Sequence, residues 1–258
     1  MDSEQQVSHW SIPKTITPSL LLKEGLKGGK KLFITHSVHE AQLVAKEYLF
    51  FSPDEEVIEF TDRETLPYDY FSPHEDLTSD RLSALNKIKN LHSGIIVTSI
   101  QTLMSKLPPI SHVVNGSINI RVGSELSLEK FKNQLISMGY NHSSQVWHHG
   151  EFSSRGAIVD LFPMGESQPI RIEWFDNCVE SLRRFDRDSQ KSQEKLTSFN
   201  CHCAHEYSLT KEAISLFRKQ WRGTFTNANE TTPAYEAVSQ GRSIAGLESY
   251  LPLFFTQL

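Results

Sequence analysis

Three short apolar runs, separated by segments of helical periodicity, set the fold class of the first part of this chain. Lys31-Leu32-Phe33-Ile34-Thr35, Val57-Ile58-Glu59-Phe60 and Gly94-Ile95-Ile96-Val97-Thr98 have the length and the β-branched content of buried strands. After the first run, Ser37 and Glu40 stand at the spacing of a capping box, in which the hydroxyl accepts from a free amide and the carboxylate reaches back. Ala41, Val44, Ala45 and Tyr48 then share one helical face. Between the second and third runs lies a loop rich in proline and aromatics, Thr61 to Asp76, and a helix with Leu82, Leu85 and Ile88 inward. Strands alternating with helices in this way read as a parallel sheet with crossover helices.

The pattern changes after Pro108-Pro109. Ser117 to Val122 alternates like a strand. Ser127 caps a helix with Leu128, Phe131, Leu135 and Met138 on one stripe, and Gly139 ends it. Gly156 to Phe162 and Pro169 to Phe175 read as two strands around the turn Pro163-Met164-Gly165, which makes a smaller α+β unit. From Ser198 onward the reading returns to helix, with Thr210 as a cap and Ala213, Ile214, Phe217 and Trp221 on one face. The opening, with Ile12-Pro13 and Thr17-Pro18, is expected to be a loosely held segment of about 30 residues. The apolar end, Leu251 to Leu258, is expected to continue into further chain. The unit from about 117 to 197 is expected to fold without its flanks.

Charge and composition exclude several classes. A formal charge of −5, from 26 basic and 31 acidic residues, argues against a surface built mainly for nucleic acid. No apolar run reaches membrane-spanning length, and the start, Met1-Asp2-Ser3-Glu4-Gln5-Gln6, lacks the regions of a signal peptide. A cytoplasmic location is expected. Cys178, Cys201 and Cys203 are odd in number and read as free thiols.

No catalytic constellation emerges, and no cofactor or metal is expected. A nucleotide hydrolase of parallel-sheet type needs a glycine-rich loop after a strand, a lysine beside the phosphates and an acid for magnesium. Gly25-Leu26-Lys27-Gly28-Gly29-Lys30-Lys31 precedes its strand and lacks the hydroxyl residue after the lysine, so it reads as a basic turn. Ile95-Ile96-Val97 ends in Thr98-Ser99, not in an acid. Cys201-His202-Cys203 with His205 is one cluster without the second ligand pair that a zinc site uses. His148-His149 reads as a polar stretch at a domain edge.

The informative segment is Ile170-Arg171-Ile172-Glu173-Trp174-Phe175. Strand alternation sends Ile170, Ile172 and Trp174 to the core, and Arg171, Glu173 and Phe175 the other way. A phenylalanine beside an arginine on an outward face is a combination that anchors protein interfaces. A hairpin through Pro163-Met164-Gly165 is expected to bring Arg155 and Arg171 towards the same end. The alternative is that Arg171 pairs with Glu173 or Asp160 and that the helix from Ser127 covers Phe175. Tyr68, Tyr70 and Phe71 could stack on bases. No basic residue lies between Arg63 and Arg81, however, while Asp69, Glu75 and Asp76 are acidic, so a packed structural loop is expected.

Two stretches carry a resemblance. One is Glu64-Thr65-Leu66-Pro67-Tyr68-Asp69-Tyr70-Phe71-Ser72-Pro73-His74-Glu75-Asp76, with Ser79, Arg81 and Leu82 beyond it. The other runs from Arg155-Gly156-Ala157-Ile158-Val159-Asp160-Leu161-Phe162-Pro163-Met164-Gly165 through Arg171-Ile172-Glu173-Trp174-Phe175-Asp176 to Asp188-Ser189-Gln190. Both resemble the amino-terminal, UvrB-like part of bacterial transcription-repair coupling factors and, more distantly, the excision-repair protein UvrB. The resemblance implies an α/β fold: a degenerate helicase-like, P-loop-type parallel-sheet domain split by a smaller inserted α+β domain. The pieces would be residues 1–116, 117–197 and 198–258. It implies that the inserted domain binds UvrA through Arg155, Arg171 and Phe175, and that another domain of the intact protein masks this surface. The motor and the RNA polymerase contact would lie outside this chain. His74-Glu75-Asp76 leads almost at once into the helix containing Arg81, where UvrB carries a long aromatic hairpin, so damage probing and strong DNA binding are not implied. An adaptor without ATPase activity is the reading. The alternatives are a nucleotide-hydrolysing helicase core and a DNA-binding domain in the manner of UvrB.

Overall fold

The computed structural model describes residues 29–225 and 232–256. Residues 25–28 of the glycine-lysine stretch, and the proline-containing opening, lie outside the described residues.

Strand β1 (Lys30–Thr35), helix α1 (Val38–Phe51), strand β2 (Val57–Phe60), helix α2 (Glu75–Asn90) and strand β3 (Gly94–Ser99) form the first unit. The strands pair in parallel in the order β1-β3-β2, as the alternation requires. Ser37 Oγ accepts from the amide of Glu40 at 3.2 Å, and the Glu40 carboxylate reaches back to the amide of His36 at 3.2 Å. Ala41, Val44, Ala45 and Tyr48 of α1 pack with Ile95 and Val97 on one face of the sheet. Ala84 of α2, with Leu91 at its end, packs with Ile58 and Phe60 on the other. Two short helices, α3 (Ile100–Met104) and α4 (Ile110–Asn115), lead out of this unit.

The second unit contains β4 (Ser117–Arg121), α5 (Leu128–Ser137), β5 (Asn141–His142), β6 (Glu151–Arg155), β7 (Ile158–Leu161), β8 (Ile170–Phe175), β9 (Cys178–Phe185), β10 (Ser192–Leu196) and β11 (Ser198–His202). A six-stranded sheet runs in the order β10-β9-β8-β7-β6-β5, and β11 pairs with β4 as a separate ribbon. Phe131 and Leu135 of α5, Ile120 of β4, and Phe199 and Cys201 of β11 are buried against Val159, Leu161, Ile170, Ile172, Trp174 and Leu182 of the sheet. Helix and ribbon therefore cover one face of the six-stranded sheet, and the opposite, outer face is left to be explained.

The structure departs from the sequence reading at several elements. Strands β6, β9 and β10 flank the two expected strands, and Gly156 belongs to no strand: its φ of +59° makes the tight turn that joins β6 to β7. Edge-proximal strands such as Glu151-Phe152-Ser153-Ser154-Arg155 and Ser192-Gln193-Glu194-Lys195-Leu196 carry too few apolar residues to signal themselves by periodicity. Ser198–His202 is likewise a strand and not the start of a helical region, because Phe199 and Cys201 alternate into the core. The division expected at residue 197 falls between β10 and β11.

Beyond β11, α6 (Lys211–Thr224), α7 (Pro233–Ser239) and a 3-10 helix (Leu247–Phe254) build their own core around Phe217, Trp221, Tyr235 and Leu251. Thr210 caps α6 by accepting from Ala213, as expected. These helices lean on the aromatic loop before α2. Tyr68 donates its amide to Ser249 Oγ at 2.8 Å, and Gly246 donates to Ser72 Oγ at 3.2 Å. The loop is not packed in the expected sense. Its backbone and polar groups hold it, while Leu66, Tyr68, Tyr70 and Phe71 stay exposed, Tyr70 at 90%.

One buried ion cluster joins these parts. Arg81 of α2 is fully buried, and its Nε donates to Glu206 Oε1 at 2.6 Å. Arg63, from the end of the β2 connection, donates to the other carboxylate oxygen. Burial alone would push Glu206 up, but the charges of Arg81 and Arg63 overcome it and hold the carboxyl below its ordinary 4.5.

Two outcomes are expected. Glu206→Gln leaves Arg81 buried and uncompensated, which costs about 3–5 kcal/mol in a denaturation experiment. Because the folded-state pKa of Glu206 is depressed, its stabilisation is fully present above pH 4.5 and is lost as pH falls through the lowered value. The gap between wild type and variant should therefore narrow in acid. Second, we propose that the inserted unit needs β11: a 117–207 fragment should melt cooperatively, and a 117–197 fragment, lacking Phe199 and Cys201, should not.

Candidate functional site

The outer face of the six-stranded sheet is built by alternation, interrupted by register shifts where β9 meets β8 and β10. Along β8, Ile170, Ile172 and Trp174 are buried in the core, so Arg171, Glu173 and Phe175 point outward. Strand register then fixes their neighbours. Asp160 of β7 and Arg183 of β9 stand directly opposite Arg171 on either side. Ile158 and Ser181 flank Glu173 in the same way. On β6, Ser153 opposes Asp160 and Arg155 opposes Ile158. Directly opposed residues share a face, so Arg155, Arg171 and Phe175 all lie on the outer one.

The segment 143–149 roofs one end of this face. Val146 is buried with Phe162 and Phe185 in a small satellite core. His149 stacks on Phe162 with ring centres 3.9 Å apart and bonds to Asp76 at 2.7 Å, which ties the roof to α2. The other end, carrying Phe175, has no such cover.

The three expected residues are held differently. Arg171 makes a two-pronged pair with Asp160 at 2.7 and 2.8 Å and lies over the Phe185 ring, 4.8 Å from its centre. The internal pair weighed from sequence thus exists, with Asp160 and not Glu173 as the partner. Glu173 instead accepts from Ser181 Oγ at 2.5 Å. Arg155 is exposed and donates to the Ser144 carbonyl at 3.0 Å. It does not lie at the same end as Arg171. The turn at Gly156 sets it level with Glu173, between Arg171 and Phe175 along the strand direction and two strand spacings, about 10 Å, across. Phe175 is 67% exposed at the end of β8, and α5 does not cover it: Phe131 of that helix packs on Trp174, on the opposite face. The arrangement offers an exposed aromatic ring on the same face as two oriented guanidinium groups, spread over about 13 Å of strand, suited to filling a pocket and pairing with carboxylates.

The other candidate clusters hold no comparable geometry. Cys201 is buried against the Tyr140 hydroxyl at 3.3 Å, and Cys203 meets His112 at 3.7 Å. Burial pushes both thiols up to about 12, so they stay protonated. The same burial pushes His205 down to about 4. Among the described residues no group of three or more His, Cys, Asp or Glu is placed to hold a metal ion. No helix among them is long and apolar enough to cross a membrane.

The two ends of the site should respond differently to truncation. Phe175→Ala should change folding stability by less than about 0.5 kcal/mol, as for an exposed side chain. Asp160→Ala strands the half-buried Arg171 guanidinium and should cost about 1–3 kcal/mol. Paired thermal melts of the two variants read this directly.

A family model described as the UvrB interaction domain matches residues 118–207, the span of the six-stranded sheet and its ribbon. The transcription-repair-coupling factor of Escherichia coli (strain K12) is 43% identical over 204 residues, 79% of this chain and 18% of that protein. The corresponding factor of Haemophilus influenzae is 40% identical over 205 residues, 79% of this chain and 18% of the relative. That of Staphylococcus aureus (strain MSSA476) is 30% identical over 196 residues, 76% of this chain and 17% of the relative. The chain thus spans about a fifth of the length of these curated relatives. It belongs to the transcription-repair-coupling-factor family, as its UvrB-like module carrying a UvrB interaction domain.

Proposed function

We propose that this module is an adaptor: the outer face of its six-stranded sheet binds UvrA and so recruits excision repair to a stalled transcription complex. The observation that carries the reading is the exposed Phe175, with Arg155 and Arg171 on the same face, inside the segment that matches the UvrB interaction domain. A ring that stays 67% exposed at a strand end contributes little to folding, and aromatic and arginine side chains are the usual anchors of protein interfaces. In the intact protein another domain masks this face until it is needed, and the parallel-sheet unit with the C-terminal helices is a degenerate helicase-like domain split around the insert. The module works in the bacterial cytoplasm.

The adaptor carries out no nucleotide hydrolysis of its own. Strand β1 is followed by His36-Ser37 and then directly by α1, a connection without the glycines and lysine of a phosphate loop. Strand β3 ends in Thr98 and Ser99. Both are buried in local hydrogen bonds, Thr98 to the Phe60 carbonyl at 2.9 Å and Ser99 to Thr102 at 2.9 Å.

A second reading, contact with single-stranded nucleic acid, is favoured by one observation: the exposed Tyr68, Tyr70 and Phe71 could stack on bases. The acidic residues around them, Asp69, Glu75 and Asp76, oppose it.

Calorimetry with UvrA separates the readings. Phe175→Ala and Arg155→Ala should each weaken binding roughly thirtyfold, about 2 kcal/mol, at unchanged melting temperature. Wild-type affinity in both variants would refute the adaptor reading. Titration with ATP and magnesium should give no stoichiometric heat. Retention of oligonucleotides that falls steeply with salt and is lost in Tyr70→Ala would favour the second reading.

A further inference from the structure

The outer face also carries a row of positive charge that the fold does not explain. Arg171 on β8 stands directly opposite Arg183 on β9, which stands directly opposite Lys195 on the edge strand β10. Like charges at directly opposed positions of a sheet are destabilising. The row is rooted on the outer face, because Leu182 and Leu196, next to Arg183 and Lys195, pair with each other on the core side. At one end Asp160 neutralises Arg171 through its two-pronged pair. Among the described residues Arg183 has no carboxylate within ion-pair distance, and its Nε is buried without a hydrogen-bond partner. Glu173, the nearest outer-face acid along β8, is engaged by Ser181. A buried guanidinium nitrogen without an acceptor costs folding free energy, in a chain whose net charge is −5.

We infer that Arg183 is a further anchor of the partner-binding face, and that the partner surface covering it presents a carboxylate there, with Lys195 extending the attraction to the sheet edge. This rests on the reading of the outer face as the UvrA site and makes it more specific. Arg171, already paired within the sheet, acts as a fixed platform, and the charges left for the partner are those of Arg155 and Arg183. The occupant is an acidic patch of UvrA, because Arg183 and Arg155, two guanidinium groups without an internal carboxylate among the described residues, share one face with the exposed Phe175 and fit carboxylates set around an apolar contact. A phosphate backbone would be met by a longer basic stripe.

The test uses the whole chain and measures UvrA affinity, melting temperature and duplex DNA retention for Arg183→Met, Arg183→Lys, Lys195→Met and Phe175→Ala. Arg183→Met keeps the apolar stem and removes the unpartnered nitrogen. The expected result is at least a tenfold loss of UvrA affinity at an unchanged or raised melting temperature, partial recovery in Arg183→Lys, and a smaller loss in Lys195→Met. Wild-type binding by Arg183→Met while Phe175→Ala fails to bind overturns this inference and leaves the adaptor reading standing. Wild-type binding by both variants removes the adaptor reading as well. A melting temperature lowered in Arg183→Met makes Arg183 structural and overturns the inference. Loss of duplex retention with UvrA affinity intact overturns it in favour of nucleic acid.

Discussion

The contact on which the rest of the molecule depends is the buried cluster of Arg81, Glu206 and Arg63. Arg81 belongs to the crossover helix of the parallel sheet, Arg63 to the connection beside it, and Glu206 to the chain just beyond the inserted unit. One carboxylate thus closes the long excursion through the inserted sheet back onto the helix it departed near. Three charges out of water are expensive unless all are paired, so this junction has a narrow set of acceptable geometries. Leu82, one residue from Arg81, sits in the core of the inserted unit, and Ser79 accepts from the Gly165 amide at 2.8 Å. A single turn of α2 therefore carries both the ionic and the apolar link to the insert.

That junction sets which face of the inserted sheet is available. Helix α5 and the β4–β11 ribbon occupy the face whose residues form the core. The roof 143–149, pinned to α2 by His149 and Asp76, occupies part of the other. What is left open is a strip bearing Arg155, Ile158, Glu173, Phe175 and Arg183, presented on strands and not on loops. A rigid β platform orders its side chains before any partner arrives, which lowers the entropy lost on binding. Arg171 takes its orientation from Asp160 and the Phe185 ring beneath it.

The parts of this arrangement legible in the sequence are those with strong periodicity. The three parallel strands, the Ser37 cap, the α5 stripe of Phe131 and Leu135, and the in-out alternation of Ile170 to Phe175 all follow from spacing alone. The weakly apolar strands β6 and β10 do not announce themselves, and Ser198–His202 reads with the helical region that follows until its partner β4 is known, because only Phe199 and Cys201 mark its buried face. Nothing near Arg81 in sequence points to its full burial or to Glu206, 125 positions away. The Thr65–Pro73 aromatics suggest a packed loop by composition, yet packing is supplied by backbone donors to Ser72 and Ser249 and the rings face outward. Register also corrects the site: a hairpin assumed from Pro163-Met164-Gly165 draws Arg155 and Arg171 towards the same end, whereas the turn at Gly156 sets Arg155 on β6, level with Glu173.

Site-specific photo-crosslinking is the most direct test of the outer face as the UvrA contact. A benzoylphenylalanine placed at position 175, and separately at the still more exposed position 70 of the aromatic loop, is irradiated with UvrA. The outer-face reading requires a crosslinked adduct from position 175 that excess unlabelled module competes away, and none from position 70. No adduct from position 175, with one forming at position 70, would contradict it.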